Sequence, residues 1–124
     1  MVQPIIGQSQ GGGERFGAVG NSFVVHEWRG SGPAVMHVHH ADDEAWHVLE
    51  GTLNFRFTDR KVSVGAGQTV FVPAGVPHTY EAVNARYLII LTPRLASLIA
   101  ELQQTRERER HPEIYRKHHS ELLE

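Results

Sequence analysis

The chain has 124 residues and a net charge of −2, with twelve basic residues against fourteen acidic ones. Its length allows one domain with a real core, and 40% hydrophobic against 21% charged residues excludes a wholly disordered chain. The charge balance leaves no footprint for nucleic acid or an anionic membrane, and the absence of cysteine removes disulfides, thiolate metal sites and thiol nucleophiles.

Residues 1–20 are rich in Gly and Gln with weak periodicity, and read as an arm or an edge strand. They show no basic n-region and no long apolar stretch, so no secretory signal is expected. The run Tyr87 to Leu91 falls far short of the ~20 residues of a membrane span. A cytoplasmic protein is the expectation.

Residues 21–93 alternate short apolar stretches with Gly, Pro, Asn and Asp turns. Strands are expected at Phe23–Trp28, Val35–His39, Glu44–Glu50, Thr52–Thr58, Lys61–Val64, Gln68–Val72, His78–Ala82 and Arg86–Leu91. Short strands with turn signals and no interleaved helix imply an all-β sandwich or barrel. Leu53, Phe55 and Phe57 share one strand face, Asn54 and Arg56 the other. Glu50-Gly51 reads as a tight turn between two strands. Met36, Phe55, Phe57 and Phe71 read as core.

Residues 94–124 carry none of the twelve glycines and read as a helical tail. Thr92-Pro93 suits an N-cap followed by the first helical position. Leu95, Leu98, Ile99 and Leu102 then form one apolar stripe, expected to pack on the outside of the barrel. Arg106 to Arg110 is a solvated charge run. Pro112 opens a second short helix with Ile114, Tyr115 and Leu122 as its contacts. His111, His118 and His119 read as surface residues.

Six of the nine histidines lie between His26 and His78. On a strand, His37 and His39 point to the same face. A short turn from His40 to Asp43 brings Glu44 back beside His39. Two imidazoles and a carboxylate suit a borderline divalent metal: Fe, Mn, Ni, Co, Cu or Zn. His78 supplies a third imidazole, aimed by the rigid turn Pro73-Ala74-Gly75-Val76-Pro77. Buried and unpaired, this set would be costly without a cation. Trp46 and Tyr80 stand two residues from Glu44 and His78. They either line a mostly apolar pocket or simply pack in the core. His26 shares a face with Val24 and Trp28, and reaches a pocket only if that face points inward. His47 faces away from Glu44, and His40 sits in the turn, where it either orients a ligand or is free.

These residues resemble the cupin family. Its first motif is Gly, about five residues, His-x-His, three or four residues, Glu, six residues, Gly; His37, His39, Glu44 and Gly51 fit it. Its second is Gly, five residues, Pro-x-Gly, two residues, His, three residues, Asn; Gly67, Pro73, Gly75 and His78 fit it. Gly32 stands one residue closer to His37 than the motif has it, and Ala82 replaces its asparagine. Neither departure touches a ligand position. The resemblance covers Phe23 to Pro93, and its nearest flavour is the quercetin dioxygenase-like single-domain cupin.

The resemblance implies a double-stranded β-helix, a conical jelly-roll barrel. It would hold one divalent transition metal through His37, His39, Glu44 and His78, with positions open to dioxygen or substrate. The function it favours is a small mononuclear-metal dioxygenase acting on a chelating, oxygen-rich small molecule (a flavonol, diketone or catechol-like compound), with Glu44 as both ligand and base. Two alternatives stand beside it: a Lewis-acid isomerase or lyase on a hydroxy-keto or sugar-like substrate, and a non-catalytic small-molecule-binding cupin. A homodimer is also expected.

Overall fold

A computed structural model describes residues 3–7 and 15–124. Part of the sequence-predicted arm therefore lies outside the described residues. The end of that segment forms an edge strand: β1 (Gly17–Val19) pairs antiparallel with β2 (Val24–Trp28). The chain continues through β3 (His37–His39), β4 (Glu44–Arg56), β5 (Lys61–Gly65), β6 (Thr69–Val72) and β7 (Thr79–Leu91). The main sheet runs β1-β2-β7-β4-β5, with β6 on the first half of β4. The tail forms α1 (Pro93–Gln104), a single 3₁₀ turn, α2 (His111–Lys117) and a last strand, β8 (Ser120–Leu122).

The sequence divides β4 and β7 into two strands each; the structure makes each one continuous. In β4 the buried residues are Glu44, Trp46 and Val48, then Leu53 and Phe55. The parity changes where the β4–β7 register shifts twice: one extra residue on β4 between Val48 and Glu50, then one extra on β7 opposite Glu50 to Thr52. Gly51 is therefore a bend, not the expected tight turn. Its φ is +74°, and a Cβ on it would lie 2.1 Å from the Asn84 carbonyl oxygen of β7. Only glycine tolerates both.

Apolar alternation fills the barrel with Trp46, Val48, Leu53, Phe55, Val72, Tyr87, Ile89 and Leu91. Phe71 is a correction: it alternates with inward Val72 and is 63% exposed. The short strand β3 does not join the main sheet. It pairs with β8 and makes an antiparallel bridge from His37 to His78.

The tail differs most from its sequence reading. Helix α1 is capped as expected, with Thr92 Oγ1 accepting from the Leu95 N–H at 3.2 Å. Its apolar stripe, however, does not cover the outer wall. Leu95, Leu98, Ile99 and Leu102 face the histidine cluster and close the barrel over it. Leu122 lies in β8 rather than in a helix, so the tail is not helical throughout. Among the described residues, no helix is long and apolar enough to cross a membrane.

Candidate metal centre

His37 and His39 project from β3, Glu44 from the first position of β4, and His78 from the end of the Pro73–Pro77 turn. All four are buried. The turn is held in place: Gly75 N–H donates to the His39 carbonyl at 2.8 Å, and Ala74 N–H to Asp43 Oδ1 at 2.9 Å. One ring nitrogen from each of the three histidines lies within 4.8 Å of the others. Glu44 Oε1 sits 3.1 Å from His78 Nε2 and 3.3 Å from His39 Nε2.

The outer nitrogens define which protons are present. His37 Nδ1 lies 2.9 Å from the Val35 carbonyl oxygen, and His78 Nδ1 lies 3.0 Å from that of Val76. A carbonyl only accepts, so both Nδ1 atoms carry hydrogen and both Nε2 atoms present lone pairs inward in the neutral rings. His39 Nδ1 lies 2.7 Å from Ser120 Oγ. Lone pairs facing a carboxylate at these distances repel unless a cation sits among them, so the donor set fits a metal ion.

Electrostatics agree with the geometry. Burial, with neighbouring His78 second, depresses the His37 imidazole to about 4, so it stays neutral at ordinary pH. Burial alone would raise the Glu44 carboxyl; an N–H from His39 or His78, present when that ring carries a proton on Nε2, outweighs it and brings the carboxyl down to about 2.

The cluster opens on a small cavity of about 50 Å³, roofed by Leu95, Leu98, Ile99, Leu102 and Tyr115. Beside it lies a chamber of about 400 Å³ between the β2–β7 face and α1. Trp28, Ile89, Leu91, Ala96 and Ala100 make its walls apolar, with His26 and Gln103 as polar points. Pro33, Tyr80, Ile89, Ile99 and Leu102 line both spaces. A still larger groove of about 660 Å³ crosses the outer ends of β4, β5 and β7, and no histidine lines it.

Each sequence-predicted residue now has a place. His26 lines the chamber but not the small cavity beside the histidine cluster. Trp46 and Tyr80 line the small cavity. The Tyr80 hydroxyl is already engaged: Tyr87 donates to the Gly30 carbonyl, so Tyr80 donates to Tyr87 at 2.9 Å. The Trp46 indole N–H is the buried side-chain polar atom among the described residues that has no partner. His40 is exposed and pairs with Glu121 at 3.1 Å, away from the ligands. His47 meets Thr69 at 2.8 Å on the outer face. Sequence reasoning misses Ser120, and it misses the α1 stripe as the roof of the site. The stripe itself is visible in the sequence; what it covers is not.

Residues 23–92 match the model of the cupin domain, more than half of the chain. The chain belongs to the cupin family. Both motif histidine sets fall inside that match, while α1, α2 and β8 lie beyond it. A cupin-2 domain protein from Shewanella frigidimarina superposes with a TM-score of 0.54 at 29% identity, over 64% of this chain and 79% of its own. Streptomyces Pac13, a nucleoside dehydratase solved with uridine, gives 0.54 at 20% identity, over 64% and 75%. KdgF from a Halomonas species gives 0.51 at 16% identity, over 61% and 74%. The latter two likenesses show the cupin fold alone. No curated protein matches the chain.

Proposed function

We propose that this cupin is a metal-dependent enzyme, a small mononuclear-metal dioxygenase acting on a chelating substrate such as a flavonol, diketone or catechol-like compound. The observation that carries the reading is the apolar chamber of about 400 Å³ set against a buried cluster of three imidazoles and a carboxylate. An apolar chamber suits a flat aromatic or diketone body better than a hydroxyl-rich sugar, whose polar groups would be left unpaired.

His37, His39, Glu44 and His78 would hold the ion. A divalent metal there supplies a Lewis-acidic point that two neighbouring substrate oxygens can chelate. Glu44, held at about 2, binds a proton weakly and would act as a base only toward an acidic substrate hydroxyl. Among the described residues the Trp46 N–H makes no full hydrogen bond, although it acts on the nearby Tyr80 hydroxyl, and a substrate oxygen in the small cavity would give it a stronger acceptor. Leu95, Leu98, Ile99 and Leu102 exclude water, which strengthens every polar contact beneath them. His26 and Gln103 would orient the far end of the substrate. The protein is proposed to work as a cytoplasmic homodimer, with exposed Val19, Phe23 and Phe71 as apolar surface available for pairing.

The test is oxygen uptake by protein loaded in turn with each first-row divalent metal, against a panel of flavonols, diketones and catechols. Uptake in step with substrate loss under air, and none under argon, is the expected result. Equal turnover under argon would replace the oxygenase by an isomerase or lyase. Binding without turnover would leave a binding module.

A further inference from the structure

We infer that Ser120, carried on the C-terminal strand β8, positions His39 as a metal ligand and thereby sets the metal affinity of the centre. The inference rests on the metal-binding reading of that site.

The three histidines are not anchored alike. His37 and His78 each meet the backbone carbonyl of the residue two positions earlier, Val35 and Val76. Those partners come with the local turns, and no side-chain substitution removes them. His39 has no such local partner. Its Nδ1 is met at 2.7 Å by the Ser120 hydroxyl, which arrives from 81 residues away.

The hydroxyl is built into place. β8 pairs with β3 in a register that sets Ser120 directly opposite His39. Ser120 is 2% exposed. Its one proton faces the His118 carbonyl oxygen at 3.4 Å, so toward His39 it accepts. Nδ1 then carries the hydrogen, and the Nε2 lone pair is left pointing at Glu44 and the other imidazoles. The strand that carries Ser120 is tied on both sides. Leu123 N–H donates to the Met36 carbonyl at 2.9 Å, and His40 N–H to that of His119 at 2.9 Å. Glu124 accepts from Met36 N–H at 2.8 Å and from Arg56 at 3.0 and 3.2 Å. A buried hydroxyl is costly unless bonded, and this one spends its acceptor on His39. Ligating imidazoles depend on such a partner for their tautomer and ring orientation, and losing it commonly weakens metal binding by ~10–100-fold. β8 lies beyond the residues that match the cupin domain, so in this chain the tail completes a site that the domain alone leaves one hydrogen bond short.

The experiment compares Ser120→Ala, Ser120→Thr and Glu124→Ala with the parent full-length protein. Glu124 is a control: it ties the same C-terminal segment to Met36 and Arg56 without hydrogen-bonding any of the three histidines. Zinc affinity is measured by competition with a chromophoric chelator at pH 7, because a set of three imidazoles and a carboxylate binds zinc well whatever its natural metal. The His39 tautomer in metal-free protein is read from long-range proton–nitrogen correlation spectra. Ser120→Ala should weaken zinc by ~10–100-fold and leave His39 as a mixture of tautomers. Ser120→Thr, which keeps the hydroxyl, should recover most of the affinity. Glu124→Ala should lower the metal-free melting temperature while affinity stays within about threefold of the parent. Parent-like affinity and a single tautomer in Ser120→Ala would overturn the assignment, as would equal affinity losses in Ser120→Ala and Glu124→Ala. A parent that takes up no zinc would overturn the metal reading of the centre and this inference with it.

Discussion

His37 and His78 exchange two backbone hydrogen bonds, His37 N–H to the His78 carbonyl at 3.1 Å and His78 N–H to the His37 carbonyl at 2.9 Å. Their rings stand 4.5 Å apart between centroids. The two motifs that bring the histidine cluster together are therefore joined through the main chain. Alignment of the site belongs to the barrel and does not wait for an ion.

For this reason His78→Ala should fold, because both main-chain bonds survive the substitution. Zinc at a hundredfold excess over its dissociation constant should stabilise the parent by ~2.7 kcal/mol. The variant should lose most of that increment, along with any catalysis. Thermal melts with and without zinc check this. An increment in His78→Ala equal to the parent's would remove His78 from the ligand set.

Acid should destabilise the metal-free protein in two steps of the same sign. His37 falls from an ordinary 6.5 to about 4 on folding, chiefly by burial. Between those values the unfolded chain binds the proton and the folded one does not, so stability is present above 6.5 and is lost as pH falls toward 4. Glu44 falls from 4.5 to about 2 because an N–H of His39 or His78, present once that ring is protonated on Nε2, outweighs burial, and its share is lost between those values. The first step is worth on the order of 3 kcal/mol. Urea denaturation across this range should show the slope between pH 6.5 and 4, and His37→Gln should flatten it. A slope unchanged in His37→Gln would mean that another group titrates there.

The site is far more legible in the sequence than the tail. Strand parity places His37 with His39, and Glu44 with Trp46, and the Pro73–Pro77 turn delivers His78; all of this is local chemistry. Gly51 defeats a sequence reading because a glycine at positive φ serves a tight turn and a bulge equally well, and only the partner strand decides. Phe71 reads as core from its apolarity, although alternation with Val72 puts it outside. The stripe on α1 says that one face is buried, not what it is buried against. Ser120 leaves no signal, since its contact with His39 bridges 81 residues of sequence and a lone serine has many uses.

Gly51→Ala should be among the most damaging single changes in the chain. The residue sits at φ +74°, and the added Cβ would meet the Asn84 carbonyl oxygen at 2.1 Å and the Ala85 Cα at 2.7 Å, both backbone. Neither can swing away as a side-chain tip can. The left-handed strain costs ~1–3 kcal/mol, and displacing β7 from β4 adds to it. In a domain whose whole stability is ~5–15 kcal/mol, the variant should melt well below the parent. An alanine variant with parent-like stability would show that the β4 bulge is placed differently.

His26→Ala separates the chamber from the centre. His26 lines the chamber and is not part of the cavity beside His37, His39 and Glu44, so zinc affinity should match the parent's. If the chamber holds substrate, KM should rise several-fold with a smaller change in kcat, as expected when a contact made equally in ground and transition states is lost. A parent-like KM across the substrate panel would move substrate out of the chamber.

The wall between the two spaces should control access to the metal. Pro33, Tyr80 and Ile89 belong to the barrel, whereas Ile99 and Leu102 are carried by α1, so the helix supplies the part of the wall that truncation can thin. The metal-side cavity, about 50 Å³, is too small for any aromatic chelator while that wall stands. Leu102 is partly buried, so Leu102→Ala should cost ~1–3 kcal/mol of stability at most. It should also speed the association of a coloured catechol with cobalt-loaded protein, followed by stopped-flow absorbance. Ile99→Ala should act in the same direction, because it thins the same wall one turn away. Zinc affinity should hold in both, since neither residue is one of the four candidate ligands or a hydrogen-bond partner of one. If the catechol binds both variants no faster than the parent, ligand does not enter past α1, and the route to the centre must lie elsewhere on the barrel.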